Sequence, residues 1–467
     1  MTIHRPITFW LTDRTHYEMG TGNCPRARYY SKHFGPSGYG IVAKSESLPL
    51  VTGTYAHEAA ARLFDHLQRK GELPDPPVIR RALAEVSHLY EQEIIAKGFR
   101  GLLQSEKSDE IVKEQLCLLT GLTWALALKF LPWFHQNYTV IAVEQEALSV
   151  LSCDCGLTPQ DHADQHLERG CTGITLQQRQ DLIAQNRVSG ALAYFEFKTT
   201  SDDAARFMEK WETTPQLALG TINAQERWGR PIEELYVVGL YKGYREKVYD
   251  DQDRIVGFRQ MSPFCTAYMR PGNPPLAPDD WKASYRYFDD STGKWKQVTK
   301  DYQKTPVWKL DTSDWPTRLQ HMDIGSAECW VRTLPDKTLE NQLYLLGPMK
   351  VQTEQLASLR RQISGEEARW QAIAWELYQI QAGGTPWHEE AVQSLLDRLV
   401  PASWACRRYG KAYSCQFMRI CFKDLGWEDP IGSGAFVPRL PHHVPELEQA
   451  ISRGLIPEQA AAETEEE

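Results

Sequence analysis

Basic residues are in short supply in this chain. Its 52 lysines and arginines are outnumbered by 61 aspartates and glutamates, for a formal charge of -9. That balance excludes a globally basic, histone-like binder of polyanions and leaves only a local basic groove open. Long apolar runs are missing too. The most apolar stretch, Leu116 to Phe134, is interrupted by Thr120, Gly121, Thr123, Lys129 and Pro132. It reads as a buried helix rather than a bilayer span, so no membrane role is expected. The first residues, MTIHRPITFWLTDRTHYE, hold no uninterrupted apolar segment followed by a small-residue cleavage site; no secretory signal is read there, and a cytoplasmic location is expected. Cysteine is sparse, 10 in 467 residues, and in a reducing compartment a chain with a large core needs no disulfide framework. No internal repeat is visible.

What is present is enough for a folded core. A hydrophobic fraction of 42% and a charged fraction of 24% argue against disorder or low complexity. At about 150 residues per domain the length suits three modules or one large domain with insertions. From Gly53 to Arg69, GTYAHEAAARLFDHLQR sets Ala56, Ala60, Leu63, Phe64 and Leu67 at helical spacing, and a second helical region runs from Val78 to Phe134 with a polar break near Gly98 to Asp109. Residues 1–137 are therefore expected to be mainly helical. Tyr138 to Leu151 reads as a strand that gives way to a Cys/His-rich insertion over 152–172. Gly173 to Ile183 and Gly190 to Lys198 read as a hairpin, Pro215 as the first turn of a helix, and Leu235 to Tyr241 as a further strand, making 138–241 the core. Residues 242–345 are rich in Tyr, Trp, Asp, Gly and Pro and are expected to form a β-rich insertion. A charged helical segment over 346–400, a cysteine-bearing segment over 401–430 and a tail over 431–467 with a disordered acidic end complete the expected organisation.

The segment RQDLIAQNRVSGALAYFEFKTT, from Arg179 to Thr200, is where chemistry is expected. Glu196 and Lys198 lie two apart on one strand, so their side chains share a sheet face, and Asp181 on the preceding strand brings a second carboxylate. Hard oxygen donors of this kind suit Mg2+ or Mn2+. A lysine beside such an ion can orient or deprotonate a water while the ion stabilises charge developing on a phosphodiester. Taken singly, Glu-x-Lys is usually a solvated strand face. Its company matters: His57 follows Gly53 at what reads as a helix start, and Gln216 opens the helix after the Glu-x-Lys strand.

Three thiols, Cys406, Cys415 and Cys421, fall close together near the end of the chain, one short of a tetrahedral sulfur site. Cys117, Cys265 and Cys329 stand apart and read as ordinary buried thiols. A separate group, Cys153, Cys155, His162, His166 and Cys171, has enough nitrogen and sulfur donors for Zn2+, although it also reads as a plain polar insertion. Near the start, GNCPRARYY places Arg26 and Arg28 beside Cys24, and Arg407, Arg408 and Lys411 follow Cys406. Brought together, these would make a local positive patch, interleaved with tyrosines, for a DNA backbone and its bases.

In their order and combination these motifs resemble the RecB-like branch of the PD-(D/E)XK nuclease superfamily, and within it the iron-sulfur exonucleases similar to CRISPR-associated and phage enzymes acting on single strands. The resemblance implies an α/β fold with a PD-(D/E)XK core, a mixed sheet flanked by helices. It implies metal ligation by His57, Asp181 and Glu196, a catalytic Lys198, and a substrate- or lysine-positioning Gln216. It also implies a structural [4Fe-4S] cluster on Cys24, Cys406, Cys415 and Cys421, while zinc on the same thiolates remains chemically acceptable. The family helix often reads Gln-x-x-x-Tyr, whereas the fourth position after Gln216 is Gly220. The expected function is metal-dependent hydrolysis of DNA at single strands or ends in a prokaryotic cell or phage-infected host, alongside proteins of recombination, replication or CRISPR adaptation. The competing class is a DNA-binding or assembly protein that keeps the fold without the catalysis.

Overall fold

The computed structural model describes residues 10–12, 24–34, 40–43, 48–96, 108–152, 174–212, 214–249, 252, 255–269, 275–279, 284–299, 303–310, 325–350, 352–382, 390–401, 415, 417–421, 429–439 and 451. In chain order, the first elements are β1 (Trp10–Thr12), α1 (Pro25–Lys32), β2 (Ile41–Ala43), α2 (Leu48–Lys70), α3 (Pro76–Ala96), α4 (Ser108–Ala125) and α5 (Leu131–Asn137). The core follows with β3 (Tyr138–Ser152), β4 (Ile174–Asn186), β5 (Leu192–Thr200), α6 (Ala204–Glu212), α7 (Pro215–Trp228) and β6 (Ile232–Tyr241). Helices α2, α3, α4 and α7 and strands β3, β4, β5 and β6 overlap the segments in which the sequence pattern set a helix or a strand.

A six-stranded mixed sheet in the order β1-β4-β5-β6-β14, whose last strand is Leu343–Met349, with β3 on the other edge of β4, is the centre of an α/β fold. β3, β4 and β5 run antiparallel to one another, and β5 and β6 are parallel. Alternate residues of β5 serve the two faces. Ala193, Phe195 and Phe197 pack with Ala56, Ala60, Leu63 and Phe64 of α2 and with α3 and α4, whereas Leu192 and Tyr194 pack with Phe207 and Trp211 of α6 and Leu217 of α7. A strand covered on both faces needs the near-continuous apolar run LAYFEF rather than strict alternation.

The apolar stretch around Leu116 to Phe134 is buried in this core. It belongs to the one helical run among the described residues, Glu110–Asn137, that is long and apolar enough to cross a bilayer, and that run is mostly covered by protein. Pro132 has no N–H for an α-helical bond. The helix accommodates it with a single π turn over Leu126–Phe130, where the Leu131 N–H bonds the Leu126 carbonyl.

Beyond β6 the chain forms the hairpin β7 (Tyr244–Tyr249) with β8 (Ile255–Met261), then β9 (Thr266–Met269), β10 (Pro275–Leu276), the hairpin β11 (Ser284–Asp289) with β12 (Lys294–Thr299), and β13 (Gln303–Pro306). The β-rich reading of this region stops short of its expected boundary. Helices α8 (Gly325–Thr333) and α9 (Asp336–Glu340) send Ala327, Trp330 and Leu339 into the main core, and β14 (Leu343–Met349) pairs with β6 as the sheet edge. The helical segment therefore starts at Thr353, as α10 (Thr353–Ala382), not at residue 346. Gly347 and Pro348 are tolerated in β14 because an edge strand need not donate every N–H.

A second apolar core gathers the two ends of the described chain. Cys24, Tyr29, Tyr30 and Phe34 of the α1 region meet Trp370 and Leu377 of α10, Leu396 of α11 (Glu390–Leu399), Phe417 and Ile420 beside α12 (Met418–Cys421), and Phe436 of β15 (Phe436–Pro438), which pairs with β2. This packing overturns one expectation. Arg26 and Arg28 are not DNA-facing: both are buried, because α1 is enclosed by α10 and α11 rather than lying on the surface. Arg26 bonds the Val400 carbonyl at 2.9 Å and Asp397 at 2.6 Å. Arg28 makes a two-point pair with Glu367 at 3.0 and 2.6 Å, both side chains 0% exposed, and its guanidinium lies 4.4 Å from the centre of the Trp370 ring.

Truncating one member of such a pair leaves the other charge buried and uncompensated. Arg28→Ala is expected to destabilise the second core by about 3 to 5 kcal/mol, whereas Arg28→Met with Glu367→Leu should recover most of that loss. Chemical denaturation of the three proteins checks it, and an Arg28→Ala loss below about 1 kcal/mol would return Arg28 to the surface.

Candidate active site

The site forms where the central ladder opens. β4 pairs with β5 over Leu182–Gln185 and with β1 over Ile174–Leu176, so among the described residues one edge of β4 is unpaired around Asp181. On its other edge the β3 register runs Val143↔Leu182 and Gln145↔Gln180, which sets Glu144 opposite Asp181. The β5 register, Leu182↔Phe195, sets Glu196 next in line on the other side. Three carboxylates thus form a row across three adjacent strands.

Directly opposed like charges repel, and the backbone yields at this row. Glu144 has φ 46°, the one non-glycine residue with positive φ among the described residues, a conformation that costs free energy and clusters at functional sites. Asp181 does not extend the ladder with its backbone; its carboxylate accepts the Phe197 N–H at 2.6 Å.

α2 supplies the nitrogen donor. The helix begins at Leu48, so Gly53 and His57 sit well inside it rather than at its start. Gly53 has a local reason: a Cβ there would lie 2.9 Å from the Thr199 hydroxyl, so its absence lets α2 rest against β5. His57 Nδ1 lies 3.5 Å from Asp181 Oδ2. One donor atom each from His57, Glu144 and Asp181 lies within 4.8 Å of the others, all three half-buried. Ligands about 2.1 Å from one octahedral ion span up to about 4.2 Å, so this donor set closes on a divalent ion with a small inward movement, and its two oxygens and one imidazole suit Mg2+ or Mn2+.

Glu196 stands beside this group rather than in it. It is 1% exposed, its Oε1 takes the Lys198 ammonium at 2.5 Å and the Gln216 amide, and its Oε2 takes the Tyr194 hydroxyl. Lys198 also lies 5.6 Å from the centre of the Trp211 ring. Gln216 is placed by the start of α7, where Pro215 occupies the first turn and the Thr214 hydroxyl caps the Gln216 N–H at 3.4 Å.

Electrostatics separate the three acids. Burial and the neighbouring Asp181 charge push the Glu144 carboxyl up, against Arg179 and His57. Burial would also raise Asp181, but attraction to His57 and Lys198, with hydrogen bonds from His57 and the Phe197 N–H, holds it below the usual carboxylate range. Burial and Asp181 raise Glu196 against Lys198. Excess negative charge in a half-buried cleft is what a divalent cation relieves.

His57, Asp181, Glu196, Lys198 and Gln216 therefore meet, as the motif order led one to expect, with Glu144 joining His57 and Asp181 where Glu196 was expected. Sequence reading missed Glu144 and Tyr194. A charge interrupting the apolar run TVIAVEQEAL was the available signal for the first, and period-two spacing ahead of Glu196 and Lys198 for the second. Of the four expected cluster thiols, Cys24, Cys415 and Cys421 share the second core, and the Cys421 thiol acts electrostatically on Tyr30 and Arg26. Cys117, Cys265 and Cys329 are buried elsewhere. Cys406, the expected DNA contacts Arg407, Arg408 and Lys411, and the expected zinc group Cys153, Cys155, His162, His166 and Cys171 lie outside the described residues. No protein-family model matches this chain, and no curated protein is significantly similar to it.

Proposed function

We propose that the protein is a metal-dependent DNA nuclease with a PD-(D/E)XK core, cutting single strands or ends. One observation carries the reading: a row of three carboxylates across β3, β4 and β5 meets a helix histidine on one side and a strand lysine on the other. His57, Glu144 and Asp181, with Glu196 adjoining, would hold Mg2+ or Mn2+. Such an ion supplies Lewis-acid stabilisation of the charge that develops on a phosphodiester. Lys198, held in place by Glu196, presents an ammonium to a phosphate oxygen or attacking water, and Gln216 fixes the Glu196 carboxylate that anchors it. Cys24, Cys406, Cys415 and Cys421 would hold an iron-sulfur cluster whose role is to join the chain ends. Arg407, Arg408 and Lys411 remain the expected DNA contacts, and partners in recombination, replication or CRISPR adaptation fit this chemistry.

The test is hydrolysis of end-labelled single- and double-stranded DNA by anaerobically purified protein with Mn2+ or Mg2+. Cleavage that requires the ion supports the reading; its absence with every substrate and ion overturns it. His57→Ala and Glu144→Gln are each expected to raise the Mn2+ concentration for half-maximal activity by about 10- to 100-fold. An unchanged Mn2+ dependence in either variant removes that residue from the ligand set.

A further inference from the structure

Glu196 is gripped at both oxygens, and one of the grips is unaccounted for. Tyr194, Glu196 and Lys198 alternate along β5 and so share the face covered by α7. Gln216 and Gly220, four apart on α7, share the helix face turned toward that strand. A Cβ at Gly220 would stand 2.5 Å from Tyr194 Cε1 and 2.7 Å from its hydroxyl oxygen. The phenol ring therefore lies against bare helix backbone, in space that any other residue at 220 would fill. From there its hydroxyl donates to Glu196 Oε2 while the Gln216 amide donates to Oε1. Tyr194 is 0% exposed, and an apolar core needs only its ring, not a hydroxyl aimed at a carboxylate.

We propose that Tyr194 is a positioning residue for Glu196, and that Gly220 is present to admit its phenol. The departure from Gln-x-x-x-Tyr at Gly220 then has a physical reason: the strand supplies the phenol that covers Gln216 and Glu196, and the helix gives up its side chain to make room. A carboxylate oxygen has two lone-pair directions. With one direction on Oε2 taken by Tyr194, the carboxylate is held in one orientation beside Asp181, its neighbour across the β4–β5 ladder.

This inference rests on the proposed metal site, and its test separates the two. Mn2+ binding is measured by titration calorimetry on wild-type, Tyr194→Phe and Gly220→Ala proteins, with DNA cleavage and circular dichroism alongside. Tyr194→Phe keeps the ring against Gly220 and removes only the hydroxyl. It should weaken Mn2+ binding about 10-fold and lower kcat while leaving KM for DNA and the secondary structure unchanged. Gly220→Ala should displace the phenol and weaken Mn2+ binding to at least the same degree. Adding Tyr194→Val to Gly220→Ala should restore thermal stability but not Mn2+ affinity. A Tyr194→Phe protein matching a Mn2+-binding wild type in affinity and kcat overturns the role of Tyr194 alone. Wild-type protein that takes up no Mn2+ overturns both this role and the metal site.

Discussion

Asp181→Asn and Lys198→Ala are each expected to lower DNA cleavage by roughly 1,000-fold, about 4 kcal/mol of transition-state stabilisation. Asparagine is the informative replacement at 181. Its side-chain carbonyl can still accept the Phe197 N–H, which Asp181 now takes at 2.6 Å, so the split between β4 and β5 keeps its shape. What it loses is the charge that faces His57 and that would hold the ion. Alanine there would confound the two effects, because a buried N–H without a partner costs stability by itself. At Lys198 the reverse choice is sound: its ammonium is 2.5 Å from Glu196, and removing it leaves the Gln216 and Tyr194 bonds to hold the carboxylate. DNA binding, measured by fluorescence anisotropy, should change little in either variant, since it rests on other groups. Cleavage within about 10-fold of wild type in Asp181→Asn would mean that the carboxylate row is not the reaction centre.

The strands and helices of the core were legible because each buries a regular stripe. LAYFEF is apolar on both faces of β5, and the spacing of Ala56, Ala60, Leu63 and Phe64 has one solution as a helix against it. Lys198 beside Glu196 was readable for the same reason, since period two depends on nothing outside the strand. Glu144 was not. Its place opposite Asp181 depends on the β3–β4 register, which passes through a shift between Val140 and Ala142, and no local pattern encodes a register. Arg26 and Arg28 were misread from the opposite cause. A basic, tyrosine-rich run beside a cysteine has the composition of a nucleic-acid surface, and only the arrival of Glu367, Asp397 and Trp370 from far along the chain covers its arginines, Arg28 in a fully buried ion pair and Arg26 in one whose Asp397 stays exposed. The start of α2 at Leu48 was hidden by Pro49 and Gly53, two residues that usually mark a boundary but here sit in the first turn and at a close helix–strand approach.

Replacing Cys24, Cys406, Cys415 or Cys421 by Ser is expected to bleach the brown absorbance of anaerobically purified protein and to unfold the second core. Cys24 lies directly before α1, where Pro25 presets the first turn, so its position is fixed by the helix that carries Arg28 and Tyr30. Cys415 and Cys421 pack into the same apolar core from the far end of the chain, flanking Phe417 and Ile420. Nearly the whole sequence separates the two groups. The entropy of closing such a loop grows only as the logarithm of its length, whereas thiolate–metal bonding in small sites contributes on the order of 10 kcal/mol, comparable to the whole stability of a domain. Losing one thiolate should therefore release the ends of the chain together rather than loosen one residue. Limited proteolysis should then cut near α1 and near residue 400 in the Ser variants while β5 and β6 stay protected, because they are covered by α2 on one face and by α6 and α7 on the other, and only the Ile174 end of β4 reaches into the second core. Cys117→Ala, Cys265→Ala and Cys329→Ala should leave the colour unchanged, since those thiols are buried in or near the main core. Iron analysis decides what the thiolates hold: zinc without iron in the pure protein would keep the joined ends and discard the iron-sulfur cluster, and no bound metal at all would leave Cys24, Cys415 and Cys421 as packing residues alone.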